Sequence, residues 1–214
     1  METEVITAKA EKGDVLLKWA YNFVLNGVPN VSEPLPKLIA PYISRYKSTE
    51  TAIEQFILNQ KLKCSGTGFV TGLGGFMTLP VTIPADLISS LYIELRMIAG
   101  IAMIRGYDIY DDQVKTLIYL CLIFNTAGDV MKQVGIQAVE KIAVKKLLPK
   151  LTQEIIVKIN KAVGFRLLTK GGTKGIINAG KAIPIFGGIV GGTYNWIEVA
   201  ICAKAAKKMF NENK

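Results

Sequence analysis

The side chains best suited to chemistry lie in one apolar stretch, residues 86–104. Asp86, Ser90 and Glu94 follow one another at four-residue steps, so a helix would place them on one face. Arg96 would lie on the other side, where it could pair with a carboxylate or bind a lipid phosphate. The alternative is structural, with Asp86 stabilising the helix start and Glu94 and Arg96 exposed. We favour the structural interpretation, because two carboxylates alone do not define a general acid and base.

The sequence contains no histidine, and this absence removes several reaction classes together. Ser-His-Asp and Cys-His catalysis are excluded, and so are histidine-ligated metal sites. The three cysteines, Cys64, Cys121 and Cys202, lie far apart and lack the short spacings of zinc sites and redox motifs. We therefore predict reduced cysteines in the core, no metal site, no cofactor and no assigned catalytic residue.

Two further patterns resemble ligand-binding loops only superficially. Asp108, Asp111 and Asp112 in GYDIYDD depart from the spacing of a calcium-binding EF-hand and lack its terminal glutamate. Helix capping explains these aspartates better. The run GTGFVTGLGG lacks the Gly-Lys-Ser/Thr ending of a phosphate-binding P-loop, and no strand precedes it. The sequence therefore favours neither calcium nor nucleotide binding.

The elements that would position these side chains are helices, because apolar residues recur at helical spacing and no strand-length alternation is bounded by hairpin turns. Three prolines between residues 30 and 46 predict a loop with a short helical turn. The predicted fold class is all-α, a single-domain multi-helix bundle over residues 1–214, with frayed ends at 1–13 and 212–214. The predicted helices cover residues 14–27, 48–63, 86–104, 111–148 with a break near Gly128 or Gly135, 151–169 and 193–211.

Residues 64–85 carry no charged side chain, and their length would suffice to span a bilayer. Five glycines, four threonines and two prolines make insertion as a single helix marginal. Small residues four apart suit close helix packing instead, although the same glycines could serve turns. We therefore expect glycine-rich helix-packing segments. The pairs with this spacing are Gly68/Gly72, Gly187/Gly191 and Gly188/Gly192.

The chain is basic and apolar for its length: 26 Lys and Arg against 17 Asp and Glu give a net charge of +9, and mean hydropathy is +0.31. This charge favours anionic partners, either phospholipid headgroups or nucleic acid, although it also keeps a protein soluble. Nucleic acid is disfavoured because the lysines are scattered and no binding module is recognisable. An anionic membrane surface or lipid is therefore the predicted partner.

The C-terminal segment, residues 193–211, has the pattern of a basic amphipathic helix with a tryptophan. Such a helix can lie flat on an anionic membrane, but the same apolar face can dock on the protein's own core. Both interpretations stay open at the level of the sequence. The membrane-facing candidates are Trp196, Lys204, Lys207, Lys208 and Phe210.

The block GTGFVTGLGGFMTLPVTIPADLISSLYIELRMIAGIAMIRGYD and the closing KAIPIFGGIVGGTYNW resemble the signature of the bacterial EcsC family. The resemblance rests on the order of the glycine-rich run, TLP, IPADL, an arginine, IA and GYD. It implies no assigned activity and no catalytic residue set; the family is named after a gene beside ABC-transporter genes, and a membrane-protein partner is a second expectation. The matching positions are Thr78, Pro80, Pro84, Asp86, Arg96, Gly106, Tyr107 and Asp108.

Three functions stay open. The first is a non-enzymatic, membrane-associated accessory or regulatory protein, favoured by the apolar excess, the basic charge and the missing catalytic groups. The second is a membrane-perturbing, pore-forming or toxin-like effector whose glycine-rich hairpins insert. The third is a lipid- or phosphate-directed enzyme using Asp86, Glu94 and Arg96. Because no secretory signal is visible, we expect a cytoplasmic protein peripheral to the inner face of the cell membrane, with integral insertion as the alternative.

Overall fold

The computed structural model describes residues 2–64, 85–136, 144–177 and 190–211, and within these ranges the secondary structure is helical, without a strand. The predicted all-α fold class is therefore confirmed. The glycine pairs expected to pack helices lie wholly or partly outside these ranges. The helices are α1 (Glu2–Asn26), α2 (Leu35–Arg45), α3 (Thr49–Cys64), α4 (Ala85–Ile104), α5 (Asp112–Leu122), α6 (Phe124–Gln133), α7 (Val144–Leu147), α8 (Gln153–Ile177) and α9 (Val190–Met209).

Helix α4 forms the centre of the bundle. Its sequence is apolar on nearly all sides, as expected of a buried helix, and α1, α2, α3, α5 and α9 all pack against it. Among the described residues, its segment Leu87–Ile104 is the one stretch long and apolar enough to cross a membrane, with a mean hydropathy of 1.7. Because 78% of that segment is buried by the rest of the protein, α4 serves here as a core helix.

Helix α1 begins at Glu2, and residues 2–13, which we expected to be frayed, form its first turns. Alanine, glutamate and lysine favour this extension, and α8 packs along it. A Cβ atom built on Gly13 would lie 2.2 Å from the carbonyl carbon of Gly164, so the two helix backbones touch at this crossing. Residues 212–214, the other expected frayed end, lie outside the described ranges.

Helix α2 replaces the loop that the prolines predicted. Pro34 stands at its N-cap and Pro36 in its first turn, where a missing N–H breaks no intrahelical hydrogen bond. Pro41 lies inside the helix, and its local penalty is outweighed by the burial of three apolar side chains on the core. These buried residues are Leu35, Leu38 and Ile39.

The helix predicted over residues 111–148 is interrupted at Ile123, where α5 ends and α6 begins, and again after Gln133. Of the two predicted break positions, the structure has the one at Gly135, whose φ of +80° suits glycine. Gly128 lies inside α6 and does not break it. The interruptions let α5 pack against α4 while α6 turns towards α8.

Candidate functional site

Among the described polar side chains of α4, Arg96 does not share a face with Ser90 and Glu94. Ser90 and Glu94 are half-buried, and the side chain of Asp86 lies outside the described part of the structure. Arg96 follows Glu94 by two residues, which places it about 200° around the helix. Its hydrogen bonds go to Tyr92 and to the α1–α2 connection instead. Arg96 and Glu94 therefore lie on different sides of α4, which does not favour the alternative interpretation in which the two act together.

Arg96 is buried, with 5% of its surface exposed, so the interpretation that placed it at the surface is wrong. Its Nη1 donates hydrogen bonds to the backbone carbonyl of Glu33 and to the Tyr92 hydroxyl, both at 2.9 Å. The Tyr92 hydroxyl lies 2.6 Å from Ser32 Oγ. The guanidinium carbon also lies 5.8 Å from the centre of the Tyr92 ring. Tyr92 and Arg96, one turn apart, thus fasten the α1–α2 connection to the core.

An open groove of about 700 Å³ runs along this connection. Gly27 adopts a φ of +78°, which lets the chain turn back so that the Val28 amide donates to the Ser32 carbonyl at 2.9 Å. Ser32 and Glu33, the two residues of the connection that meet the Arg96 and Tyr92 side chains, line the groove. Its other polar walls come from Asn22, Asn26 and Asn30.

An ion-pair network, consisting of Glu50, Arg105 and Lys207, joins three helices at one end of the bundle. Glu50, in the first turn of α3, accepts from Arg105 Nη2 at 2.5 Å and from the Lys207 ammonium of α9. The Arg105 side chain is only 6% exposed, and Lys207 also lies 4.0 Å from Glu54. The hydrogen bond from Lys207, more than any other contact, holds the pKa of Glu50 below its usual range.

Two of the membrane-facing candidates on α9 serve the protein's own packing. Phe210 is fully buried, and its ring centre lies 5.1 Å from that of Tyr107. Lys207 belongs to the ion-pair network. Both side chains are engaged because α9 lies against α3, α4 and α5, where it buries a face of mostly small residues. That face consists of Val199, Cys202, Ala203, Ala205 and Ala206.

The remaining membrane-facing candidates on α9 are two lysines and a tryptophan. Lys204 and Lys208 are exposed, and the Lys208 ammonium lies 5.4 Å from the centre of the Phe124 ring. The side chain of Trp196 lies outside the described part of the structure. Lys204 and Lys208 are therefore the described candidates whose side chains are exposed.

Three large apolar side chains are exposed on α3 and α9, away from the ion-pair network. Leu58 and Leu62 follow Glu54 at four-residue steps along the solvent side of α3, and they are 46% and 61% exposed. On α9, Ile201 is 46% exposed. Lys207 pairs with the first turns of α3, so the two helices are antiparallel. We call Leu58, Leu62 and Ile201 the apolar end.

The positions of these side chains along the helix axes follow from the helical rise. Leu58 lies six residues beyond the midpoint of Glu50 and Glu54, and Ile201 lies six residues before Lys207. At 1.5 Å per residue, each is about 9 Å from the ion-pair network along its helix. Leu58 and Ile201 therefore share one level of the bundle, with Leu62 one turn further out.

The comparison with known families gives one match. Residues 44–212 match the EcsC protein family. The chain belongs to the EcsC family. The match begins near the end of α2, so α1 and most of α2 precede the region shared with other EcsC proteins. The chain matches none of the curated proteins and none of the solved structures with which it was compared.

Within the EcsC match, the GYD residues form the end of α4. The Gly106 amide donates to the Met103 carbonyl at 2.9 Å and the Tyr107 amide to the Ala102 carbonyl at 3.0 Å, the two hydrogen bonds of a Schellman C-cap. Gly106 has the positive φ, +81°, that this cap requires. Tyr107 then packs on Phe210, and Asp108 Oδ1 accepts from the Tyr110 amide at 2.9 Å.

Capping also explains Asp111, whose carboxylate accepts from the Gln113 and Val114 amides at the start of α5. The GYD segment is therefore a connection that ends one helix, anchors α9 and leads into the next. The remaining motif positions, Thr78, Pro80 and Pro84, lie outside the described residues.

Within the described ranges, no three His, Cys, Asp or Glu side chains lie close enough together to hold a metal ion. Cys121 and Cys202 are buried and form no disulfide bond, as predicted, and the side chain of Cys64 lies outside the described part of the structure. Burial raises the pKa of the Cys121 thiol far above its usual range, so this side chain stays protonated and unreactive.

Sequence reasoning missed the partners of the functional side chains. The four-residue spacing of Tyr92 and Arg96 was visible and predicts a side-chain contact on a helix. Ser32 and Glu33 left no such signal, because their contact with α4 spans about sixty residues of sequence. The pairing of Glu50 with Lys207 likewise left no local signal, because the two residues lie far apart in the sequence.

Proposed function

We propose that this EcsC protein is a non-enzymatic accessory or regulatory protein that binds an anionic membrane surface through the apolar end. The observation that carries the proposal is the exposure of Leu58 and Leu62, one turn apart on α3, with Ile201 exposed at a similar level of the neighbouring α9. Large apolar side chains grouped on a surface are typical of contact sites for membranes or partner proteins.

Charge favours a membrane as the contact. Lys204 is exposed three residues from Ile201, and the whole chain carries a net charge of +9. Basic side chains beside an apolar patch strengthen binding to anionic lipid, by about 1 kcal/mol for each Lys or Arg near the surface. We place the protein at the cytoplasmic face of the membrane, since the buried free thiols suit a reducing compartment.

The connectivity of the chain also favours membrane contact at the apolar end. Cys64, at the end of α3, leads directly into residues 65–84, which carry no charged side chain, and Ala85 begins α4 after them. The longest uncharged stretch of the sequence is thus attached to the helix end that exposes Leu58 and Leu62. Because residues 65–84 carry no charge, their approach to lipid would bury no charged side chain.

The proposal is tested by flotation of the full chain with phosphatidylcholine vesicles, with and without phosphatidylglycerol. We expect binding to the anionic vesicles at low salt, weakened at high salt by screening. Leu62→Glu should abolish flotation. Val157→Glu is the matched control, because Val157 on α8 is 45% exposed and lies outside the apolar end, so this variant should float like the wild type.

Two outcomes would overturn the proposal: no flotation of the wild type at low salt, or equal losses for both glutamate variants. The same vesicles, loaded with a dye, distinguish quiet binding from membrane perturbation. We expect no dye release, because α4, the described helix apolar enough to insert, is covered by five other helices. Release at the concentrations that give flotation would favour a membrane-perturbing effector.

A further inference from the structure

An acidic side chain stands at the edge of the apolar end. Glu54 precedes Leu58 by one turn on the solvent side of α3, and its side chain is 64% exposed. The exposed side of α3 therefore changes from acidic to apolar between Glu54 and Leu62. One turn is about 5.4 Å, shorter than the roughly 10 Å over which 0.1 M salt screens a charge. A lipid phosphate that meets Leu58 therefore feels the negative charge of Glu54.

The two glutamates of the first turns of α3 differ in how well their charges are compensated. Glu50 has two cations, Arg105 at 2.5 Å and Lys207. Because the Arg105 side chain is only 6% exposed, losing Glu50 would leave a buried cation without an anion, so this pair stays together. The described partner of Glu54 is Lys207, at 4.0 Å, and Lys207 makes its hydrogen bond to Glu50. The charge of Glu54 is therefore only partly compensated.

Lysines of the neighbouring helix α9 supply the opposite charge. Lys204 is exposed three residues after Ile201, and Lys207, three residues further along, is 34% exposed. Basic side chains near a membrane attract anionic lipid, whereas an exposed carboxylate repels it. Lys207 acts on both sides of this balance, because it is itself a cation and it also covers Glu54. The strength of membrane contact should therefore depend on this pair as well as on net charge.

We infer that Glu54 regulates the membrane contact of the apolar end: its carboxylate opposes anionic lipid, and Lys207 limits the opposition by covering it. The inference rests on the proposed membrane function and names the regulation of the same surface. The partner is a phospholipid surface with negative headgroups. Like charges placed together at a contact select against a partner, so Glu54 sets how favourable the remaining contacts must be.

Flotation with phosphatidylcholine vesicles containing phosphatidylglycerol, at low salt, tests the role of Glu54. Glu54→Gln keeps the shape of the side chain and removes its charge, so the affinity should rise roughly threefold to fivefold. The matched control is Glu154→Gln, which removes one negative charge from the exposed first turn of α8, outside the apolar end. This control should bind like the wild type. An unchanged affinity in Glu54→Gln, or equal gains in both variants, would overturn the inference.

A double-mutant cycle tests the role of Lys207. In the wild type, Lys207→Gln removes a cation and also uncovers Glu54, whereas in Glu54→Gln it removes a cation alone. The loss of affinity should therefore be roughly twofold to threefold larger in the wild-type background. Equal losses in the two backgrounds would contradict the covering role of Lys207. Glu54 is an exposed residue, so the comparison with Glu154→Gln stays decisive even if Lys207→Gln fails to fold.

The membrane proposal and this inference fail in different ways. If the wild type and Glu54→Gln both remain unbound at low salt, the membrane function fails and the inference fails with it. If the wild type floats and Glu54→Gln floats equally well, only the inference fails. The expected result is that Glu54→Gln floats at fractions of phosphatidylglycerol that are too low for the wild type.

Discussion

The α1–α8 crossing and the docking of α9 attach helices to the same core by opposite means. At the crossing, Gly13 and Gly164 remove the side chains altogether, and backbone lies against backbone. Helix α9 docks with a face of mostly small residues and is fastened at its end by charges, through Lys207 and Glu50. The first contact tolerates no added atom, whereas the second responds to salt and pH.

This difference indicates which part of the molecule is built to change. The ion-pair network and the apolar end lie on the same helix pair, α3 and α9, so conditions that loosen the charges act on the surface proposed to meet the membrane. At the crossing of α1 with α8, an exposed pair of Lys161 and Glu11, 3.6 Å apart, lies beside the backbone contact, and the apolar end is elsewhere. We expect the crossing to stay closed whenever the protein is folded.

The largest expected effect comes from adding one carbon atom to the crossing. A Cβ on Gly164 would lie 2.4 Å from the carbonyl carbon of Gly13 and 2.6 Å from the amide nitrogen of Asp14, so the helices must move apart. We expect Gly164→Ala to lower the free energy of unfolding by about 3 kcal/mol. Urea unfolding followed by circular dichroism measures it.

The control is Gly128→Ala, inside α6, where an added Cβ meets nothing within 4 Å. This change should stabilise the protein by about 0.5–1 kcal/mol, because alanine is the better helix former. If the two alanine variants shift the unfolding midpoint alike, the backbone contact at the crossing is not as close as described.

The next effect concerns the connection from α4 to α5. Gly106→Ala should destabilise the protein by about 1–2 kcal/mol, because Gly106 has a φ of +81°, which alanine adopts at a penalty. No atom lies within 4 Å of the added Cβ, so the effect is conformational rather than steric. Gly106→Asn should recover part of the loss, since asparagine tolerates this conformation, and a thermal melt that ranks alanine above asparagine would contradict the assignment.

A smaller effect is expected from Glu50→Gln, which removes the carboxylate shared by Arg105 and Lys207. Exposed ion pairs contribute about 0–1 kcal/mol, and we expect the upper end because Arg105 is nearly buried. Opening of α9 should then be roughly fivefold more frequent. Thiol labelling of Cys202, buried on α9, followed by mass spectrometry measures the opening, and Cys121 in α5 should label at its wild-type rate.

The pH dependence follows from the lowered pKa of Glu50, whose ordinary value is 4.5. A carboxylate with a lowered pKa in the folded protein stabilises the fold above its unfolded pKa, and this contribution is lost as pH falls through the folded pKa. The difference in melting temperature between wild type and Glu50→Gln should therefore be largest above pH 4.5 and disappear in stronger acid. A difference that persists in acid would show that charge is not what Glu50 contributes.

The helices could be predicted from the sequence because periodicity is a local property. The strongest case is α4, predicted over residues 86–104 and found at Ala85–Ile104. Helix α2 could not be predicted from the sequence. Its prolines disfavour a helix locally, whereas the burial of Leu35 and Ile39, which favours the helix, depends on the rest of the fold. Glycine packing was expected, but Gly13 and Gly164 stand alone in helical sequence and only their meeting in space reveals the role.

The candidate site was less predictable than the fold. Arg96 was singled out by its charge in an apolar helix, yet its burial and its partners Ser32 and Glu33 depend on the path of the α1–α2 connection. Phe210 and Lys207 were candidates for membrane contact because an amphipathic pattern does not distinguish a membrane from the protein's own core. The exposed Leu58 and Leu62 were not noticed, since the apolar residues of α3 are spread around the helix and its sequence does not mark one face as exposed.

The most direct test of the account places a polarity-sensitive fluorophore on a cysteine at position 62, in a Cys64→Ser background, and compares it with the same label at position 157. Cys121 and Cys202 are buried and should stay unlabelled in the folded protein. Addition of anionic vesicles should shift the emission of the Leu62→Cys conjugate to the blue and leave that of the Val157→Cys conjugate unchanged. Equal shifts at both positions, or none at position 62 while the protein floats with vesicles, would contradict membrane contact through the apolar end.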